Sequence, residues 1–404
     1  MSIGAGAIVT LDVEKPAVGG RMLARHRGQI VLVWGAIPGE TVRAQIERAG
    51  RGVLYAETTD VLTASPDRRT PEGDWRCGGN VYAHVAYDRQ VRLRGEIIRE
   101  TLGRIGRLPL DAPPVVVASP ERGYRMRARL HAADGRLGFF REGTHQLCDP
   151  GQTGQLLPQT LAWIARLERF VADRQLSGLT AVEITENVAG DERACHLELA
   201  PGIEPGSFDS FVTESTVTDT LRVREEDAGT TLHLRRHARS FFQGNRFLLE
   251  PLVRYVAALV PQGPAVDLYA GVGLFGLSLA AAGITDVTLV EGDAASGTDL
   301  DHNAAPLAGV VRVERSSVET FLARAPRAAT IIVDPPRTGL SNDAAAGIVR
   351  VRPGRIVYVS CDIATLARDT RTFIDAGYSL EGLTGFDLFP NTAHVETVAI
   401  LTYR

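Results

Sequence analysis

Lysine is almost missing from this sequence. Lys15 is the single lysine among 44 basic residues, so nearly all positive charge is guanidinium. Cysteine is scarce as well. Cys77, Cys148, Cys195 and Cys361 are scattered over 404 residues, which argues against a disulfide framework. No apolar run approaches the roughly 20 residues that cross a bilayer. The start, Met1-Ser2-Ile3-Gly4-Ala5, has neither the basic end nor the apolar centre of a secretory signal. A membrane role is not expected, and a cytoplasmic location is. The net charge of −4 excludes a uniformly basic nucleic-acid binder. No internal repeat or low-complexity tract is present.

Against these absences stand 44% hydrophobic and 23% charged residues, the balance of a soluble globular protein. The chain is too long for one ordinary domain, and it divides into three. Residues 1–62 carry short alternating runs between glycine turns, which suggests a small OB-like β-barrel. Residues 63–240 mix helix and strand in an α+β pattern. Residues 241–404 alternate strand and helix, the pattern of a doubly wound, Rossmann-like α/β sheet. The last two strand-like runs, 379–388 and 395–402, have no helix between them and imply an antiparallel hairpin closing that sheet. Arginine is clustered at Arg89, Arg92, Arg94, Arg99, Arg104 and Arg107, again at Arg122, Arg125, Arg127 and Arg129, and again at Arg235, Arg236, Arg239 and Arg246. Guanidinium pairs with phosphate and stacks on bases, but such runs also occur as solvated faces.

Four strand ends of the last domain carry chemistry. Val266-Asp267-Leu268 runs into Tyr269-Ala270-Gly271-Val272-Gly273, and with Gly276 the loop reads G-x-G-x-x-G. Glu291 follows Gly271 by 20 residues, at the next strand end, where an acid can hold a ribose hydroxyl. Asp267 and the bulky Tyr269 favour S-adenosylmethionine over a dinucleotide. The third strand ends in Asp334-Pro335-Pro336-Arg337. The prolines restrain the carboxylate to point into a cleft, where it can accept from a ring N–H. The next strand, Val357-Tyr358-Val359-Ser360, delivers Cys361, and a helix from about Ile363 would favour its thiolate by its dipole. Most buried cysteines are inert; Cys77, Cys148 and Cys195 read as structural. Glu396 sits alone in an otherwise apolar strand, where an acid is costly unless paired or functional. An acid, a thiol and a second acid beside a nucleotide-type loop describe covalent methyl transfer to a pyrimidine. A nicotinamide oxidoreductase would leave Cys361 and Glu396 without roles, and a non-catalytic RNA-binding protein would need none of these residues.

The motifs together resemble the RNA uracil-C5 methyltransferases, which form 5-methyluridine in ribosomal and transfer RNA. The segments in order are Ser240-Phe241-Phe242-Gln243-Gly244-Asn245, Asp267-Leu268-Tyr269-Ala270-Gly271-Val272-Gly273, Val290-Glu291-Gly292, Asp334-Pro335-Pro336-Arg337-Thr338-Gly339, Ser360-Cys361-Asp362 and Phe389-Pro390-Asn391-Thr392-Ala393-His394-Val395-Glu396. The N-terminal residues, with the turn Pro38-Gly39-Glu40, resemble the TRAM domain. The resemblance implies Cys361 as nucleophile and Glu396 as base. It implies Gln243, Tyr269, Gly271, Gly273, Glu291 and Asp334 around S-adenosylmethionine or the uracil. It also implies RNA as partner, most readily 23S ribosomal RNA with transfer RNA as the alternative, and a monomer by default. Many relatives carry an iron–sulfur cluster on four cysteines. Here only Cys77 of Cys77-Gly78-Gly79-Asn80 stands on that motif, with no thiol near 69–71 or at Thr153, so no cluster and no metal are expected. Trp75, Tyr82 and Tyr87 are expected to pack in its place.

Overall fold

The computed structural model describes residues 4–203, 205–208, 211, 215–224 and 231–404. Strands β1 (Ile8–Pro16), β2 (Met22–His26), β3 (Gln29–Trp34), β4 (Thr41–Ala49) and β5 (Val53–Thr63) close a barrel in the order β1-β2-β3-β5-β4. In β1 alternate residues Val9, Leu11 and Val13 are buried, the period of a strand with one face inside. The Pro38-Gly39-Glu40 turn has a structural function. The buried Glu40 carboxylate accepts the Ile37 N–H at 2.8 Å and pairs with Arg68 at 2.6 Å.

The middle of the chain holds α1 (Tyr87–Thr101), β6 (Val116–Val117), β7 (Arg127–Ala133), β8 (Arg136–Phe140), β9 (Leu147–Cys148), α2 (Pro158–Asp173), β10 (Leu179–Glu186) and β11 (Arg193–Leu199). The sheet β11-β10-β7-β8-β9 is covered by α2 through Ile164 and Leu167. A two-stranded ribbon, β12 (Thr216–Arg222) with β13 (Thr231–His237), leads into the last domain.

That domain runs α3 (Leu249–Ala258), β14 (Ala265–Leu268), α4 (Leu274–Ala281), β15 (Val287–Val290), α5 (Ala294–Ala304), β16 (Val311–Glu314), α6 (Val318–Arg324), β17 (Thr330–Val333), α7 (Asn342–Val351), β18 (Arg355–Ser360), α8 (Ile363–Asp375), β19 (Tyr378–Phe386) and β20 (Glu396–Tyr403). The sheet order is β16-β15-β14-β17-β18-β20-β19-β6. The first five strands are parallel, and β20 inserts antiparallel between β18 and β19. Every residue of β14, β15 and β17 is buried, as expected of parallel strands covered on both faces.

Two expectations change. Cys77 and Cys148 form a disulfide, with Cα atoms 5.8 Å apart. It ties the Cys77 loop to the β8–β9 hairpin, aided by Arg141 donating to Asp74 at 2.7 Å. Spacing alone could not reveal the pair, because the fold brings together residues 71 positions apart. The aromatic side chains meanwhile do not gather to fill a gap. Trp75 and Tyr82 join the barrel core, and the Tyr87 hydroxyl donates to Asp387 at 2.9 Å. Asn80, at the third motif position, donates to the Glu72 carbonyl at 3.2 Å. Among the described residues no helix is long and apolar enough to cross a membrane.

Candidate active site

The glycine loop after β14 is held from below. Asp267, fully buried, accepts the Gly276 N–H at 2.7 Å. Burial pushes its carboxyl up to about 8. Gly276 tolerates no side chain, since a Cβ there would press into Leu289. Tyr269 adopts φ +61°, a left-handed conformation costly for a bulky residue and concentrated at functional sites. Gly271, at φ +57°, borders open space where an added Cβ would touch only the Phe241 carbonyl at 3.9 Å. Gly273, at φ +98°, precedes α4 and packs on Leu277 and Leu300. It does not line the cavity described below. At the end of β15, Glu291 accepts the N–H groups of Gly271 at 2.7 Å and Asp293 at 2.6 Å, which aims its carboxylate across the loop.

The remaining candidate residues, Asp334, Cys361 and Glu396, stand on the other three strand ends. Asp334, beyond β17, accepts from Gln243 Nε2 at 3.0 Å, and burial raises its pKa. Cys361 follows β18. Ser360 opposes Thr397 in the antiparallel β18–β20 pair, so the next step of the register sets Cys361 beside Glu396. Glu396 is 3% exposed and its Oε1 has no partner. Burial first and the Asp334 charge second raise its pKa well above the usual carboxylate range.

The expected dipole-stabilised thiolate is not what the free protein holds. Asp362 caps α8 by accepting the Thr365 N–H. Burial, then the Glu396 charge, push the Cys361 thiol up to about 11, and Arg337 partly offsets this by its charge and a hydrogen bond. Arg337 was visible only as part of a motif; its bearing on the thiol needed the structure.

Seven of the eight residues singled out from the sequence line one cavity of about 680 Å³: Gln243, Tyr269, Gly271, Glu291, Asp334, Cys361 and Glu396. Its size suits a cofactor and a base together. Arg127 and Arg129 of β7, with Arg125 just before it, form the facing wall, and Phe241, 58% exposed, stands with Arg239 at the mouth. Arg127 and Arg129 are themselves ion-paired, with Glu183 at 3.0 Å and Glu198 at 2.5 Å. Arg94 and Arg236 are fully buried in ion pairs with Asp387 and Asp219, and Arg89 pairs with Glu96 and Asp67.

The profile of the tRNA (uracil-5-)-methyltransferase family matches residues 312–404, and that of the TRAM domain matches residues 5–59. The 23S rRNA (uracil(1939)-C(5))-methyltransferase RlmD of Chromohalobacter salexigens is 32% identical over 97% of this chain and 89% of its own. The chain belongs to the RNA uracil-C5 methyltransferase family. An RNA methyltransferase of Streptomyces avermitilis is also 32% identical, over 97% of both chains. The crystal structure of Pyrococcus abyssi tRNA (uracil-54, C5)-methyltransferase in complex with S-adenosyl-L-homocysteine superposes with TM-score 0.75 at 26% identity. That match covers 97% of this chain and 99% of the other.

Enzymes of the uracil-C5 methyltransferase family depend on S-adenosylmethionine, and the cavity fits it. The space open beside Gly271 admits an approaching ligand, Glu291 presents a carboxylate at the second strand end as a ribose hydroxyl acceptor, and carboxylates rather than guanidinium groups line the loop side, as suits a cationic sulfonium.

Proposed function

We propose that this enzyme methylates C5 of a uridine in 23S ribosomal RNA through a covalent Cys361–C6 adduct, with Glu396 as base. The observation carrying the reading is the juxtaposition of Cys361 and a buried, unpartnered Glu396 across β18–β20, beside Asp334. Uracil C5 is a poor nucleophile. The Cys361 thiol loses its proton to solvent, its thiolate Sγ adds to C6, and the C5=C6 electron pair moves to an enolate. Asp334, held by Gln243, orients the uracil edge. S-adenosylmethionine, when bound, supplies the electrophilic methyl that C5 acquires. Glu396 then takes the C5 proton, the electron pair re-forms the double bond, and the C6–S bond breaks to release Cys361 as thiolate. A base at the bottom of this cavity cannot remain stacked, so the uridine enters flipped out of its helix. The arginines of the facing wall and Phe241 at the mouth suit a flanking single strand.

Ribosomal RNA is favoured by the RlmD likeness at 32% identity over nearly the whole chain. Transfer RNA is the second reading, favoured by the Pyrococcus abyssi fold match. Nucleoside mass spectrometry of separated ribosomal and transfer RNA from a strain lacking the gene tests both. Loss of 5-methyluridine from the ribosomal fraction alone supports the first, and unchanged 5-methyluridine in both fractions refutes the activity.

A further inference from the structure

The loop between β19 and β20 delivers Glu396, yet its shape is set from outside the catalytic domain. Arg94 of α1, 0% exposed, reaches three of its carbonyls. Nη2 donates to Thr392 O at 2.7 Å and Phe389 O at 3.2 Å, and Nε donates to His394 O at 3.1 Å. Nη2 also pairs with Asp387 at 3.0 Å, where the loop begins. One turn earlier on α1, Gln90 accepts the Asn391 N–H at 3.0 Å and donates to Asn391 Oδ1 at 2.8 Å. Asn391 is held at φ +63°. The Pro390 carbonyl accepts from the Tyr124 hydroxyl at 3.2 Å, the Asn391 carbonyl from the Tyr82 N–H at 2.8 Å, and the Leu388 carbonyl from Asn245 Nδ2 at 3.1 Å.

A loop without secondary structure needs its polar backbone groups satisfied when buried. Here a single guanidinium fork serves the residues nearest the base, and the last bond, to His394, lies two residues before Glu396. We infer that Arg94 is a positioning residue for Glu396: it fixes where the carboxylate meets the C5 proton without touching substrate. The inference rests on Glu396 being the base. Proton removal demands tighter geometry than thiol addition at a separate strand end. Loss of the clamp therefore slows elimination while addition continues.

Deleting one partner of a buried ion pair strands the other, so the test variant is the charge-balanced Arg94→Met/Asp387→Asn. Arg94→Lys accompanies it, keeping the charge but not the fork, and decides the matter alone if the double variant does not fold. Single-turnover reactions with uridine-containing RNA transcript and S-adenosylmethionine are followed on denaturing gels and by methyl incorporation. Turnover is expected to fall by the order of tenfold to a hundredfold. The protein–RNA adduct accumulates, S-adenosylhomocysteine affinity stays at the wild-type value, and Arg94→Lys is intermediate. Wild-type turnover, or lost turnover without adduct, in a folded variant overturns the inference. Glu396→Gln run in parallel separates the two ideas. If it fails to accumulate adduct, the reading of Glu396 itself is wrong; if it accumulates adduct and the Arg94 variants do not, only the positioning role falls.

Discussion

Cys361 and Glu396 are neighbours across the antiparallel junction of β18 and β20, one step beyond the Ser360–Thr397 pair. The reversal of β20 is what makes this possible. A parallel strand would bring its own C-terminal end to the site, whereas β20 begins there. Its first residue meets the residue that follows β18.

Cys361→Ala is expected to abolish methyl transfer while S-adenosylhomocysteine still binds within about twofold of wild type. The thiol lies two strands from the glycine loop and makes no bond to Glu291 or Gly271. Calorimetry and methyl incorporation check the two halves, and residual turnover would remove the covalent mechanism.

Glu396→Gln keeps the shape of the side chain but cannot take a proton. A labelled RNA should then remain attached to the protein on a denaturing gel, and Cys361→Ala in the same background should abolish the band. Turnover at the normal rate would place the base elsewhere.

The Cys361 thiol, pushed up to about 11, should alkylate slowly at neutral pH. Its rate should climb toward a midpoint near that value rather than the roughly 8.5 of free cysteine. Arg337 favours the thiolate, so Arg337→Met is expected to move the midpoint higher and slow iodoacetamide capture several-fold at pH 8. Cys195, driven up to about 12 by burial, stays silent. Capture of Cys361 with a midpoint below 8 would contradict the geometry.

Thiol titration of unfolded, unreduced protein should find two reactive cysteines, Cys195 and Cys361, rising to four after reduction. The protein should be colourless and hold no stoichiometric iron. Removing the disulfide with Cys77→Ser/Cys148→Ser is expected to destabilise the protein by about 4 kcal/mol on a loop-entropy basis. An iron-containing chromophore in anaerobically prepared protein would show that the cysteines serve a cluster instead.

Asp267 holds its proton in the folded protein up to about pH 8, far above the ordinary carboxylate value. Between those limits the native state binds more protons than the unfolded one, so stability falls as pH rises and levels off above pH 8. Asp267→Asn removes that dependence and can still accept the Gly276 N–H. Its thermal midpoint should match wild type near pH 4 and exceed it by a few degrees at pH 8, without ligand. A gap that closes as pH rises would reverse the assignment.

β17 and β18 were readable because they are apolar, largely β-branched runs, Ile331-Ile332-Val333 and Ile356-Val357-Tyr358-Val359, each leading into a residue with chemistry. The elements that escaped reading are weaker signals. β2, β11 and β13 are short and broken by charged residues or histidine, as in Met22-Leu23-Ala24-Arg25-His26, and declare themselves only once a partner strand buries their apolar side. Site identities were legible and their state was not. The thiol's high pKa comes first from burial and then from Glu396, 35 residues away in sequence, and the Arg94 clamp joins residues about 300 positions apart. Arg94 sits in a helix whose neighbours are ordinary surface arginines, so nothing local marks it.

One consequence concerns engineering a new RNA target by grafting. The barrel and central region look like exchangeable modules placed ahead of a catalytic unit, with a cut near residue 240. Yet β6 completes the catalytic sheet, Val116 pairing with Gly385, and α1 moulds the loop before Glu396. A chimaera spliced at 240 would import a foreign helix against that loop. A transplant therefore has to move α1 and β6 together with the sheet, and to keep Tyr82 and Tyr124, which bond the same loop from outside those two elements.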